Sequence, residues 1–236
     1  MTICIAAMAE GGKKIVLATD RMITANFPLP TEFETDDVPK IYQLHDNVIA
    51  MPAGNALSAY EVIERAKAQI TSQQISKVEQ IAEIIRRTYQ DYRRHLVVER
   101  VLEPRGLSLD TYYSTQQRMV LGVVQEVESQ LTSFNLGVEL IIAGCRNGEE
   151  CHIFTVTHPG VSLLHDAIGH VSIGSGAPHV MYYFIGSNYK KRLPVEEVEQ
   201  LVREAKKKSE VAPGVGKQTE LLIIPPTEEH GVKPIK

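Results

Sequence analysis

Cysteine is scarce in this chain: Cys4, Cys145 and Cys151 are the only three in 236 residues. An odd, sparse set without paired spacing predicts neither a disulfide framework nor a zinc site. Cys4 and Cys145 fall in apolar runs and are expected to act as small core residues. Long hydrophobic runs are lacking, so no segment is expected to span a bilayer. The start, Met1 to Lys14, has no basic leader before an apolar stretch, so no secretory signal is expected and a cytoplasmic location is the simplest. An excess of positive charge is missing as well. The formal net charge is -4, which gives no case for a nucleic-acid partner. The basic clusters Arg86-Arg87, Arg93-Arg94 and Lys206-Lys207-Lys208 read as solvated helix faces. The histidines are scattered without ligand spacing, so no metal is expected. His152 is assigned a structural role, and His165-Asp166 a strand-end turn.

What is present is an ordinary core-forming chain, 43% apolar. Two short apolar runs, Thr2–Met8 and Lys14–Ala18, flank the turn signal Glu10-Gly11-Gly12-Lys13 and predict a β-hairpin. The segment Asn26–Pro39, with three prolines and several acids, predicts a loop. Lys40–Leu44 and Asn47–Met51 predict a second strand pair around His45-Asp46. Ala59, Val62, Ile63, Ala66 and Ile70 recur at helical spacing, with Asn55 or Ser58 as cap. A second helix is expected from about Ser76, with Val78, Ile81, Ile84, Ile85 and Tyr89 on one face. It runs on past Tyr92 to Leu102, where Pro104-Arg105-Gly106 breaks it. Asp110 is a candidate cap for further helix toward Leu131. Strands follow at Val138–Gly144 and Cys151–Thr157, joined through Asn147-Gly148, then at Val161–Leu164 and His170–Ile173. A helix over Pro194–Lys208 has acids early and lysines late, matching its dipole. A last strand, Thr219–Ile224, ends at Pro225-Pro226. No repeat or low-complexity linker divides the chain, so 1–236 reads as one domain. Two sheets with helices outside them are the natural layered solution.

Five short motifs carry chemistry. They are Thr2-Ile3-Cys4-Ile5-Ala6, Ala18-Thr19-Asp20-Arg21 with Thr24, Lys40-Ile41-Tyr42-Gln43-Leu44, Ala53-Gly54 and Gly174-Ser175-Gly176. A threonine at a chain start can supply both nucleophile and base, since its hydroxyl attacks and its own α-amine takes the proton. In this order the motifs resemble proteasome β-type subunits, a family that includes the peptidase of bacterial ATP-dependent two-component proteases. The resemblance covers Thr2 to about Ile224. It implies an α+β fold, the four-layer α-β-β-α sandwich of N-terminal-nucleophile hydrolases, and a threonine peptidase with no cofactor.

The resemblance also implies roles. Thr2, exposed by removal of Met1, would be the nucleophile, and its freed α-amine, with a reference pKa of about 7.7–8.0, the base. Lys40 would favour deprotonation of both groups, and Asp20 would hold Lys40 charged. Ser175 would bond the Thr2 amine, and the Gly54 N–H would form the oxyanion hole. Thr24 and Ala56 match places where an extended peptide pairs. Ile23, Pro52, Ala56 and Tyr60 match the wall of the pocket for the residue before the scissile bond, which implies a preference for apolar side chains there. A homo-oligomeric ring is implied, with an ATP-driven unfoldase as a possible partner. The chain departs from the family pattern in places. Glu210 stands where the family carries an aspartate, and Pro213 has no hydroxyl where a serine follows. About 92–134 is longer than the family's second helix and its link, and is expected to form an extended helical hairpin. Two other readings compete: a non-catalytic assembly or scaffold subunit, and another acyl transfer such as ligation or amidohydrolysis.

Overall fold

The computed structural model describes residues 2–26, 30–35, 37–145 and 150–225. Met1, the Asn147-Gly148 turn and Pro226 lie outside them. The fold mixes helix with antiparallel sheet, an α+β arrangement.

The predicted first hairpin forms as β1 (Cys4–Ala9) and β2 (Lys14–Thr19), in register from Cys4 opposite Thr19 to Ala9 opposite Lys14. Every β1 residue is buried, which explains a run of small apolar residues in place of polar–apolar alternation. Cys4, Ala6 and Met8 pack with Ile49, Met51, Ile141 and Ala143 of a second sheet. Ile3, Ile5, Ala7 and Ala9 pack the other way, against Val198, Val202 and Ala205. The same division of odd and even positions recurs in β6 (Val48–Gly54) and β7 (Val138–Cys145). There Val48, Ala50, Leu140 and Ile142 meet the helices α1 (Ala56–Gln73) and α2 (Val78–Val97). Period-two alternation therefore serves two buried faces at once.

The first sheet has the order β10 (His170–Ile173), β1, β2, β11 (Glu220–Ile224); the second runs β5 (Tyr42–His45), β6, β7, β8 (Cys151–Thr157), β9 (Val161–Leu164). Residues 55–137, all the helix between, form an excursion between the adjacent strands β6 and β7. The Asn55 side chain caps α1 by accepting from the Leu57 N–H. The expected apolar faces of α1 and α2 are the buried ones, with Ile84 only partly covered.

Several expectations need correction. Asn26–Pro39 is not simply a loop: β3 (Met22–Asn26) and β4 (Pro30–Glu34) form a two-stranded ribbon. Pro30 is tolerated there because it opens its strand. A helix went unpredicted, α5 (Ala177–Gly186); its aromatic and β-branched residues are weak helix formers. It is followed by α6 (Val195–Ser209), whose Lys206 is 1% exposed rather than solvated.

The stretch after α2 is helical, but not as one hairpin. A π turn at Val98–Leu102 continues α2, and the short α3 (Leu109–Thr115) and α4 (Leu121–Ser133) follow. Ser108, not Asp110, caps α3 by accepting from Thr111 N–H at 3.1 Å. These pieces share a small core of their own around Val97, Val101, Leu102, Tyr112, Val127 and Leu131. Arg93 donates to the carbonyls of Leu131 and Phe134 and ties the end of α2 to the end of α4.

Cys145 and Cys151 are bonded as a disulfide, against the expectation of unpaired thiols. The β7–β8 hairpin sets them directly opposite each other, with Cα atoms 4.1 Å apart, a relation that a separation of six does not advertise. The cytoplasmic expectation loses the support it drew from sparse, unpaired cysteine. No helix among the described residues is long and apolar enough to cross a membrane.

Candidate active site

Strand register brings the motif residues to one end of the two sheets. Because Cys4 faces Thr19 across the β1–β2 pair, Ile3 lies beside Asp20, whose N–H donates to the Ile3 carbonyl at 3.3 Å. Thr2 is one residue further out. Cys4 also faces Ile173 across β1–β10, so Gly174 arrives on the other flank of Thr2. Gly174 has φ +94°, and a Cβ there would lie 2.3 Å from the Thr2 carbonyl oxygen, so only glycine fits. Lys40 enters just before β5, and Gly54 ends β6.

Thr2, Asp20 and Lys40 are 3%, 0% and 5% exposed. The Thr2 hydroxyl donates to Asp20 Oδ1 and accepts from Lys40 Nζ, and Lys40 Nζ also donates to Asp20 Oδ1 at 2.5 Å. A buried carboxylate and ammonium are costly to desolvate unless paired and hydrogen-bonded. Here each has the other, and the hydroxyl sits between them. The arrangement can polarise that hydroxyl: the cation favours the alkoxide and the carboxylate takes the hydrogen bond.

The second oxygen of Asp20 is held from an unexpected quarter. Asp20 Oδ2 accepts the Gly216 N–H at 2.7 Å. The Gly216 carbonyl in turn accepts from Lys206 Nζ at 2.8 Å, and Lys206 pairs with Glu210 at 2.7 Å. Glu34 accepts the next N–H, that of Lys217, at 2.9 Å. Glu210, matched by resemblance to a site acid, therefore acts on Lys206. Lys206 was missed because a lysine run near a helix end reads as solvated. The one signal available was its position: 206 falls four residues after Val202 and one after Ala205, on the apolar face. Replacing Lys206 by methionine keeps the stem and removes the charge. The expected result is a loss of about 1–3 kcal/mol in a denaturant titration.

Ser175 lies beside Thr2, but its hydroxyl donates to the Pro213 carbonyl at 3.1 Å. The Gly176 N–H reaches the Thr2 carbonyl at 3.4 Å. Cys4 sits beneath the site, its thiol donating to the Pro52 carbonyl at 3.3 Å. Burial pushes that thiol up to about 12, so it is a core group and no nucleophile.

Two clefts meet at Thr2 and Gly54. One, the smaller, is lined by Ile23, Thr24, Pro52 and Ala56 together with Met22, Val38, Pro39, Lys40 and Tyr42. A parallel bridge between Thr24 and Asn55 sets its two walls together. Tyr60, expected in this wall, is an exposed α1 residue outside the lining. Burial, with Tyr60 and Glu64 adding to it, raises the Tyr42 phenol above its usual range and keeps it neutral. The other, larger cleft includes Glu139, His158 and Ser175. Among the described residues no cluster of His, Cys, Asp and Glu is suited to a metal. His152, as expected, has structural partners, Asp166 at 2.6 Å and Glu79 at 3.3 Å.

No protein-family model matches this sequence, and comparison with curated proteins gives no match either.

Proposed function

We propose that the chain is an N-terminal threonine hydrolase of the proteasome β-like class, built as a four-layer α-β-β-α sandwich and cleaving peptide bonds. The observation that carries this reading is the buried contact of the Thr2 hydroxyl with both Asp20 and Lys40, at the junction of two clefts. The alternating packing of both sheets supports the sandwich.

In the proposed reaction the Thr2 oxygen attacks the scissile carbonyl and its proton passes to the α-amine freed of Met1. The carbonyl oxygen gains charge against the Gly54 N–H. Collapse expels the amine half, which takes the proton, and leaves an ester on Thr2. Water attacks that ester, the bond to the Thr2 oxygen breaks, the acyl half leaves as a carboxylic acid and the hydroxyl is restored. The small cleft, walled by Ile23, Pro52 and Val38, favours an apolar side chain before the cut. The chemistry needs no cofactor. A homo-oligomeric ring, an unfoldase partner and a cytoplasmic setting belong to the same reading.

The test is intact mass after treatment with a threonine-directed β-lactone. The expected result is a chain without Met1 carrying one adduct, and no adduct on Thr2→Ala. Retained Met1 with no adduct overturns the reading. One observation favours a non-catalytic assembly or scaffold subunit: Ser175, meant to serve the Thr2 amine, is engaged by Pro213. Transfer to another acceptor, by ligation or amidohydrolysis, is separated from peptide hydrolysis by adding competing amines.

A further inference from the structure

We propose that the larger cleft receives the segment after the scissile bond and that Glu139 selects a cationic side chain at its first position. This deepens the peptidase reading and rests on it for which half of the substrate lies where.

Glu139 occupies an unusual place in β7. Its neighbours Val138 and Leu140 face the helices, while Ile141 and Ala143 face the first sheet. By alternation Glu139 belongs with Ile141, on the face that closes against the other sheet, and it is opposite Ala53, which is part of that inner core. Glu139 is nevertheless exposed. It stands where the space between the sheets opens, and its Oε2 accepts the Gly174 N–H at 3.0 Å across the gap. That bond ties β7 to the residue flanking Thr2.

The two clefts differ in charge. Among the described residues that line the small one, Lys40 is the single ionic side chain, already paired with Asp20. Among the described residues that line the large one, Glu139 is the only carboxylate and none is a lysine or arginine. His158, also in that lining, adds no opposing charge: burial, helped by nearby Arg93, lowers its imidazole below the usual range. Arg93 itself is turned toward the carbonyls of residues 131, 132 and 134. His158 Nδ1 is buried without a partner among the described residues. A substrate leaving Thr2 on this side meets one negative charge and neutral walls, so an ammonium or guanidinium is attracted and a carboxylate repelled.

The test uses peptides that share an apolar residue before the bond and carry lysine, norleucine or glutamate after it, competed in one vessel and quantified by mass spectrometry. Lysine is expected to exceed glutamate about tenfold in kcat/KM, the sum of an attraction and a repulsion at a partly solvated site. Glu139→Gln, which keeps an acceptor for Gly174, is expected to bring that ratio within about twofold of unity. Binding of the lysine and glutamate peptides to Thr2→Ala, with and without Glu139→Gln, reads the same subsite without turnover. A lysine preference that Glu139→Gln removes upholds the subsite. Equal binding of the two peptides, or a preference that survives Glu139→Gln, overturns it. If binding discriminates while the wild-type chain cleaves nothing, the peptidase reading falls and the subsite stands.

Discussion

Lys40→Met is expected to cost turnover on the order of 10³-fold and to destabilise the fold by about 3 kcal/mol. The two losses have separate origins. In the proposed reaction turnover falls because the Thr2 hydroxyl loses the cation that would make its oxygen nucleophilic. Stability falls because Asp20, fully buried, loses the ammonium at 2.5 Å that compensates it. The Gly216 N–H remains on Oδ2 and softens the effect without replacing a counter-charge. Adding Asp20→Asn removes the stranded charge, so the double variant is expected to regain most of the stability and none of the turnover. Urea titrations of the four proteins, beside initial rates on an apolar fluorogenic peptide, decide the matter. If Lys40→Met alone keeps wild-type rates, Lys40 is only a structural partner of Asp20.

Gly54→Ala is the second change with a large expected effect, and it acts through the backbone. Gly54 has φ +99°, and a Cβ there would come 2.0 Å from the Gly137 carbonyl oxygen. That oxygen cannot retreat cheaply, because it accepts the Asn55 N–H at 2.8 Å. The β6–β7 pair must therefore open at its end, at a cost of about 2–3 kcal/mol. In the proposed reaction, shifting Gly54 also moves its N–H away from the developing oxyanion, an effect worth roughly 10²–10³ in kcat. The expected signature is a fall in kcat with KM little changed, beside a lower denaturation midpoint. An unchanged kcat would place the oxyanion elsewhere.

Much of the fold was legible because burial leaves a period in the sequence. The apolar faces of α1 and α2, the β1–β2 turn and the cap at Asn55 all announce themselves locally. The Thr2, Asp20, Lys40 and Gly54 set was legible as an ordered series of motifs, and the strand registers bring them together. What stayed hidden depends on partners distant in sequence. Lys206 is buried because Gly216 and Glu210 receive it, and no window around the helix records that. Cys145 and Cys151 meet because a hairpin folds between them. The ribbon of β3 and β4 was concealed by prolines that a two-stranded edge accommodates. α5 follows a Gly-Ser-Gly turn with a composition that favours strands. Tyr60 sits on the correct helix, but its side chain is 53% exposed and outside the lining of the small cleft.

The contact between Asp20 and Gly216 spans 196 positions of sequence, and β2 is flanked by β11 on its far edge. The carboxylate at the end of β2 is thus steadied by the connection between α6 and β11, so a change of length in that connection is expected to displace Asp20 while leaving its own strand intact.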